Sequence, residues 1–211
     1  MLPLITGIPV TSADVSAAPL FAPEASSPAP LNVKLRIRGE RLNVLDGGAA
    51  TVTGALRPAL AGRVVYLQRH SRHGWRNIAQ TLTGARGRFV LRYTPHRLLS
   101  EPVRVMYAGG GGYLSMSRGI GRLISYRLVD ASWYGGGGTL ACGGQLTSAT
   151  MGVANKTLPC GTLVTLRYDG RSVRVPVVDR GPYVEGREFD LTEATKRALG
   201  FEGVGELWST R

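Results

Sequence analysis

The sequence predicts an all-β protein built from two domains. Three observations carry this. Glycine makes up 29 of 211 residues and charged residues only 19%, a balance that favours short strands and tight turns over helical bundles. Short β-branched runs recur between turn signals along most of the chain. The charge is also uneven: residues 1–130 hold 17 basic and 6 acidic side chains, and residues 131–211 hold 9 and 8. A break of that kind marks a domain boundary. No stretch approaches 18 apolar residues, so no membrane-spanning helix is expected.

Residues 1–31 read as a leader and linker. Leu2–Val10 is an apolar run, and Val15-Ser16-Ala17 resembles a signal-peptide cleavage site, although no basic segment precedes it. A plain Ala/Pro/Ser leader fits as well, and the composition from Ala17 to Pro30 reads as a flexible linker.

Residues 32–129 carry seven strand-like runs: Val33–Arg38, Ala50–Leu56, Arg63–Arg69, Trp75–Thr83, Arg88–Tyr93, Val103–Tyr107 and Ile120–Val129. Turn signals such as Asp46-Gly47-Gly48 and Gly109–Gly112 separate them. Seven short strands in about 100 residues fit a β-sandwich, immunoglobulin-like in architecture. Its basic residues fall largely at alternate positions, Lys34, Arg36 and Arg38, then Arg86, Arg88 and Arg92. That spacing puts each set on one face of its strand. The face is either simply solvated or a docking surface for an anionic polymer. No carboxylate cluster is present, so this half reads as an auxiliary domain.

Residues 130–211 differ. Ala131–Tyr134, Met151–Ala154, Leu163–Tyr168, Ser172–Val178 and Val204–Trp208 read as strands, and only Leu191–Leu199 reads as helix. Asp190-Leu-Thr-Glu193 has the form of a capping box, and Gly200 suits a helix C-terminus. Short strands around one short helix suggest a compact barrel with loops at its rim. Cys142 and Cys160 lie in the similar contexts ACGG and PCGT. They form either a buried free pair or, in an oxidising compartment, a disulfide closing a loop of roughly 19 residues, worth about 3 kcal/mol. A metal site is not expected, because His70, His73 and His96 all lie far upstream. Nothing in the sequence calls for a cofactor.

Four segments occur in a telling order: Ala131-Ser-Trp-Tyr-Gly135, Lys156-Thr-Leu-Pro159 with Gly161-Thr162, Val178-Asp-Arg-Gly-Pro-Tyr183, and Phe189-Asp-Leu-Thr192. Together they resemble the double-psi β-barrel domain of the rare lipoprotein A family, which includes septal lytic transglycosylases and is related to expansins and barwin-type proteins. The resemblance covers Ala131–Arg211 and implies an exported cell-envelope protein that engages peptidoglycan glycan. A lytic transglycosylase needs a carboxylic acid at the glycosidic oxygen, acting first as acid and then as base. Asp179 and Asp190 are the candidates. Arg180, Asn155, Tyr134, Tyr183 and Trp133 are the candidate substrate contacts, since sugars stack on aromatic faces. Two departures weaken catalysis. The position where the family carries its catalytic Glu is Gly144, and the family's His is Asn155. The expected function is therefore expansin-like binding of the wall glycan with weak or no cleavage. The alternative is a lytic transglycosylase using Asp179 or Asp190. A nucleic-acid-binding or inhibitory barwin-like module fits poorly, because the excess positive charge lies outside the barrel.

Overall fold

A computed structural model describes residues 28–211. The leader and most of the linker expected over 1–31 lie outside the described residues. The fold is almost entirely β. Its first half comprises β1 (Lys34–Arg41), β2 (Asn43–Leu45), β3 (Ala50–Arg57), β4 (Val64–Ser71), β5 (Gly74–Leu82), β6 (Arg88–Tyr93) and β7 (Ser100–Tyr107). A long strand, β8 (Met116–Tyr134), leads into the second half. There follow β9 (Gly138–Thr139), β10 (Gln145–Leu146), β11 (Val153–Ala154), β12 (Leu163–Tyr168), β13 (Arg171–Asp179), β14 (Phe189–Thr192), α1 (Glu193–Leu199) and β15 (Gly205–Ser209).

In the first half two sheets share one core. One sheet runs β1-β3-β6, and the other runs β5-β4-β7-β8, with β2 added in parallel to β8. Alternation explains the packing: Val52 and Leu56 of β3, Phe89 and Leu91 of β6, Val65 and Leu67 of β4, and Val103 and Val105 of β7 all turn inward and are buried. The opposite face of β1-β3-β6 is basic. Register sets Lys34 opposite Arg57, and aligns Arg36, Ala55 and Arg88 in one row and Arg41, Thr51 and Arg92 in another. Two residues of the expected stripe depart from it. Arg38 falls in the register shift between Ile37 and Gly39. Arg86 sits in a 3₁₀ turn ahead of β6, at φ 60°.

The second half is a closed barrel. β8 pairs β14, β14 pairs β11, β11 pairs β13, β13 pairs β12, β12 pairs β15, and β15 returns to β8. Closure leaves this six-stranded ring without a free edge. Its own core contains Val153, Val164, Leu166, Val175, Val177, Phe189, Leu191, Leu199 and Phe201. The two runs read as Ile120–Val129 and Ala131–Tyr134 are one strand. β8 passes from the first core to the second without a break: its partner changes from β7, whose pairing ends opposite Ile124, to β15, whose pairing begins opposite Arg127, and exposed Asp130 pairs with Glu206 inside that second ladder.

The helix also differs from the sequence expectation. Phe189–Thr192 is a strand, with Phe189 and Leu191 buried at period two, and α1 begins only at Glu193. Asp190 is therefore not a helix cap: Thr192 occupies the N-cap position, without a side-chain cap bond. Gly200 does end the helix, in the left-handed conformation (φ 71°) that glycine adopts freely.

Candidate functional site

Strand register assembles the site. Ala154 of β11 lies opposite Asp179 of β13 on one side and opposite Asp190 of β14 on the other. Asp190 in turn lies opposite Ser132 of β8. A row Asp179–Ala154–Asp190–Ser132 thus crosses four strands on one face. The methyl group of Ala154 leaves space between the two carboxylates, whose backbones stand about 9–10 Å apart at two strand spacings.

A β-bulge aims Asp179 into this row. Val153 pairs Val177, but the next residue, Ala154, pairs Asp179, so Val178 is the extra residue on β13. Without it, Asp179 would share the inward direction of buried Val177; with it, Asp179 faces the way Ala154 does.

The carboxylates are held differently. Asp179 Oδ1 accepts the backbone N–H groups of Ala141 and Arg180, each at 2.9 Å. Asp190 accepts a short hydrogen bond from the Ser132 hydroxyl, and Ser132 Oγ also accepts from Arg187 Nη1 at 3.2 Å. The Arg180 guanidinium does not pair with Asp179. It donates to the carbonyls of Asn155 (3.1 Å) and Leu158 (3.0 Å), bracing the 155–160 loop, and approaches Cys160 Sγ.

Cys142 and Cys160 form a disulfide with Cα atoms 5.5 Å apart. The bridge joins the braced loop to the turn whose Ala141 N–H meets Asp179, and Cys142 N–H itself donates to Val178 O. Gly144 closes that turn by accepting the N–H of Leu140, at φ 86°.

Tyr134 lies two residues beyond Ser132 on β8 and faces the same way. Its hydroxyl is buried and has no hydrogen-bond partner of normal geometry. Burial, and then the negative charges of Asp179 and Asp190, push its pKa well above the ordinary tyrosine value. Below about pH 10 both folded and unfolded chains keep this proton, and the contribution to stability is complete. Above that the unfolded chain ionises first, so stability falls as pH rises. Comparing urea midpoints at about pH 8 and about pH 11 should show a smaller alkaline loss in Tyr134→Phe than in wild type. Tyr126, whose pKa burial also raises, is common to both proteins.

The remaining residues singled out in the sequence divide. Tyr183 is 83% exposed on the loop after Asp179 and is free to meet a ligand. Asn155 is buried and occupied: its amide donates to Glu188 O, and its oxygen accepts from the N–H groups of Thr157 and Leu158. Trp133 points away from Ser132 and Tyr134, and Lys196 of α1 packs over its ring at 4.0 Å. Ser132 and Arg187 were not anticipated as part of the site. For Ser132 the signal was available, since in Ser132-Trp-Tyr134 the first and third residues share a strand face.

Comparison with known proteins bears on the same stretch. Residues 128–207 match the family model described as "Lytic transglycolase". The barrel half is a rare lipoprotein A-like (RlpA-like) double-psi β-barrel domain. It is 41% identical over 87 residues to a probable endolytic peptidoglycan transglycosylase RlpA of Aquifex aeolicus, covering 39% of this chain and 38% of that protein. It is 39% identical over 87 residues to the endolytic peptidoglycan transglycosylase RlpA of Pseudomonas aeruginosa, covering 38% of this chain and 26% of that protein. The similarity thus spans well under half the length of these relatives. Among solved structures, the chain is similar to Streptomyces papain inhibitor, with 27% identity, a TM-score of 0.31, and coverage of 39% of this chain and 91% of that one. Within the RlpA-like domain, the carboxylate row, the bulge and the disulfide-tied turn fall inside the matched residues.

Proposed function

We propose that this is an exported cell-envelope protein whose RlpA-like barrel binds the glycan of peptidoglycan through Asp179, Asp190 and Tyr183, with little or no cleavage. The observation that carries this reading is the turn at Gly144. A side chain there would point into open space, but the backbone φ of 86° disfavours any residue with a Cβ. The turn is shaped for glycine at the position where the resemblance to the rare lipoprotein A family puts its catalytic Glu. Both carboxylates already act as hydrogen-bond acceptors, a role that suits sugar hydroxyls. Tyr183 offers an exposed ring for stacking on a sugar face. Arg180 and Asn155 act one step back, holding the loops that position Asp179.

The second reading is a lytic transglycosylase. It is supported by the transglycosylase activity for which the relatives are named and by Tyr134, whose buried hydroxyl lies near the charges of both carboxylates and would carry a proton between them and a sugar oxygen. Purified sacculi separate the two readings. Wild-type protein is expected to co-sediment with sacculi and to release no anhydro-muropeptides above background by mass spectrometry. Robust release that disappears in Asp190→Asn while co-sedimentation persists would replace the binder with the enzyme.

A further inference from the structure

Two cavities lie away from the carboxylate row. A cleft of about 700 Å³ opens where the sandwich meets the barrel. Its walls come from both halves: Ser100, Glu101 and Arg122 on β7 and β8, and Thr165, Ser172 and Arg174 on β12 and β13. A second cavity of about 680 Å³ adjoins it, lined by Arg69, Arg72 and Arg76. Arg97 and Glu101 line both, and the two cavities side by side are termed the trough. Because β8 pairs continuously with strands of both halves, one unbroken backbone ladder joins the trough's two walls.

The charge of the trough is strongly one-sided. Glu101 is engaged by Arg69 and Arg97, which orients those two guanidinium groups. Arg122 is aimed by Ser100, donating to its carbonyl and to its hydroxyl. Among the described residues, neither Arg122 nor Arg174 belongs to an ion pair. We propose that this trough is a second binding site, one that takes an extended anionic wall polymer through its phosphate or carboxylate groups. Guanidinium pairs both kinds of oxyanion in bidentate fashion. The lining contains no Trp, Tyr or Phe on which bases would stack, which disfavours single-stranded nucleic acid. Arg174 and Asp179 lie five residues apart on β13, about 17 Å along the strand, so the trough is a separate subsite on the same barrel. The choice of a wall polymer rests on the cell-envelope reading above, but not on whether the barrel binds or cleaves glycan.

The test uses two probes, sodium polyphosphate and poly-L-glutamate, with binding followed by calorimetry at low and at physiological salt. The double variant Arg122→Gln/Arg174→Gln is compared with Arg36→Gln/Arg88→Gln, which removes the same charge from the open face of β1-β3-β6. The expected result is at least a tenfold loss of affinity for one or both probes in the first variant, and less than twofold in the second. Which probe responds tells phosphate from carboxylate. Equal losses in both variants would mean diffuse attraction between charges, and would overturn the site. So would tighter binding of a duplex DNA of equal charge. Should the trough variant fold poorly, wild type alone decides. Phenylglyoxal modification mapped by mass spectrometry should show Arg122 and Arg174 protected by the bound polymer and Arg36 unprotected; uniform protection or none would overturn the proposal.

Discussion

Replacing both Cys142 and Cys160 by alanine should lower barrel stability by about 3 kcal/mol, the loop-closure value for a cross-link of this length. For a unit of about 80 residues that corresponds to a fall in melting temperature of about 10–20 °C. The effect should begin in the barrel, because Cys142 packs against the barrel core and the sandwich core includes neither cysteine. A second consequence follows from geometry. The bridge fixes the turn that carries Ala141, whose N–H holds Asp179, to the loop braced by Arg180. Reduction should therefore weaken sacculus binding at temperatures where the barrel is still folded. Thermal melts followed by circular dichroism, with and without dithiothreitol, check the first point, and co-sedimentation under the same conditions checks the second. A melting curve that does not move on reduction would show that the barrel core alone fixes this wall of the site.

Much of this architecture was legible because local pattern and burial agree. β12 falls where Leu163–Tyr168 alternates, and β6 where Arg88–Tyr93 does. The sequence misleads where a residue answers to two rules. Asp190-Leu-Thr-Glu193 has the spacing of a capping box, but Phe189 and Leu191 bury at period two, and pairing with both β8 and β11 keeps the segment extended through Thr192. Asp130 splits an apolar run in the sequence, yet in space it is one outward position on a strand that changes cores. β2 has only three residues and forms because β8 offers a partner, which no local pattern reveals. At the site, Asp179 and Asp190 were visible from their motifs. Their alignment across Ala154 was not, because it depends on the bulge at Val178, and a bulge is a property of two strands together. Asn155 stood where the family's His would act, and nothing in its neighbours announced that backbone groups already occupy its amide.

Substitution of Asp179 should separate a structural role from a binding role, because alanine and asparagine remove different things. The carboxylate accepts two backbone N–H groups, from Ala141 and Arg180. Asparagine keeps a carbonyl oxygen able to accept both bonds while losing the charge; alanine removes the acceptor altogether. Asp179→Ala should therefore cost about 1–3 kcal/mol of stability, with the turn at Ala141 loosened, and Asp179→Asn less than about 1 kcal/mol. Binding should not follow that order. A charge-assisted hydrogen bond to a sugar hydroxyl contributes about 1.5–3 kcal/mol, so both variants should lose about tenfold to a hundredfold in affinity for sacculi. Urea titrations and sacculus co-sedimentation on the same preparations give the two readouts. If Asp179→Asn bound like wild type while Asp179→Ala failed on both counts, Asp179 would be a fastener for the Ala141 turn, and glycan recognition would pass to Asp190, with Ser132 and Arg187 behind it.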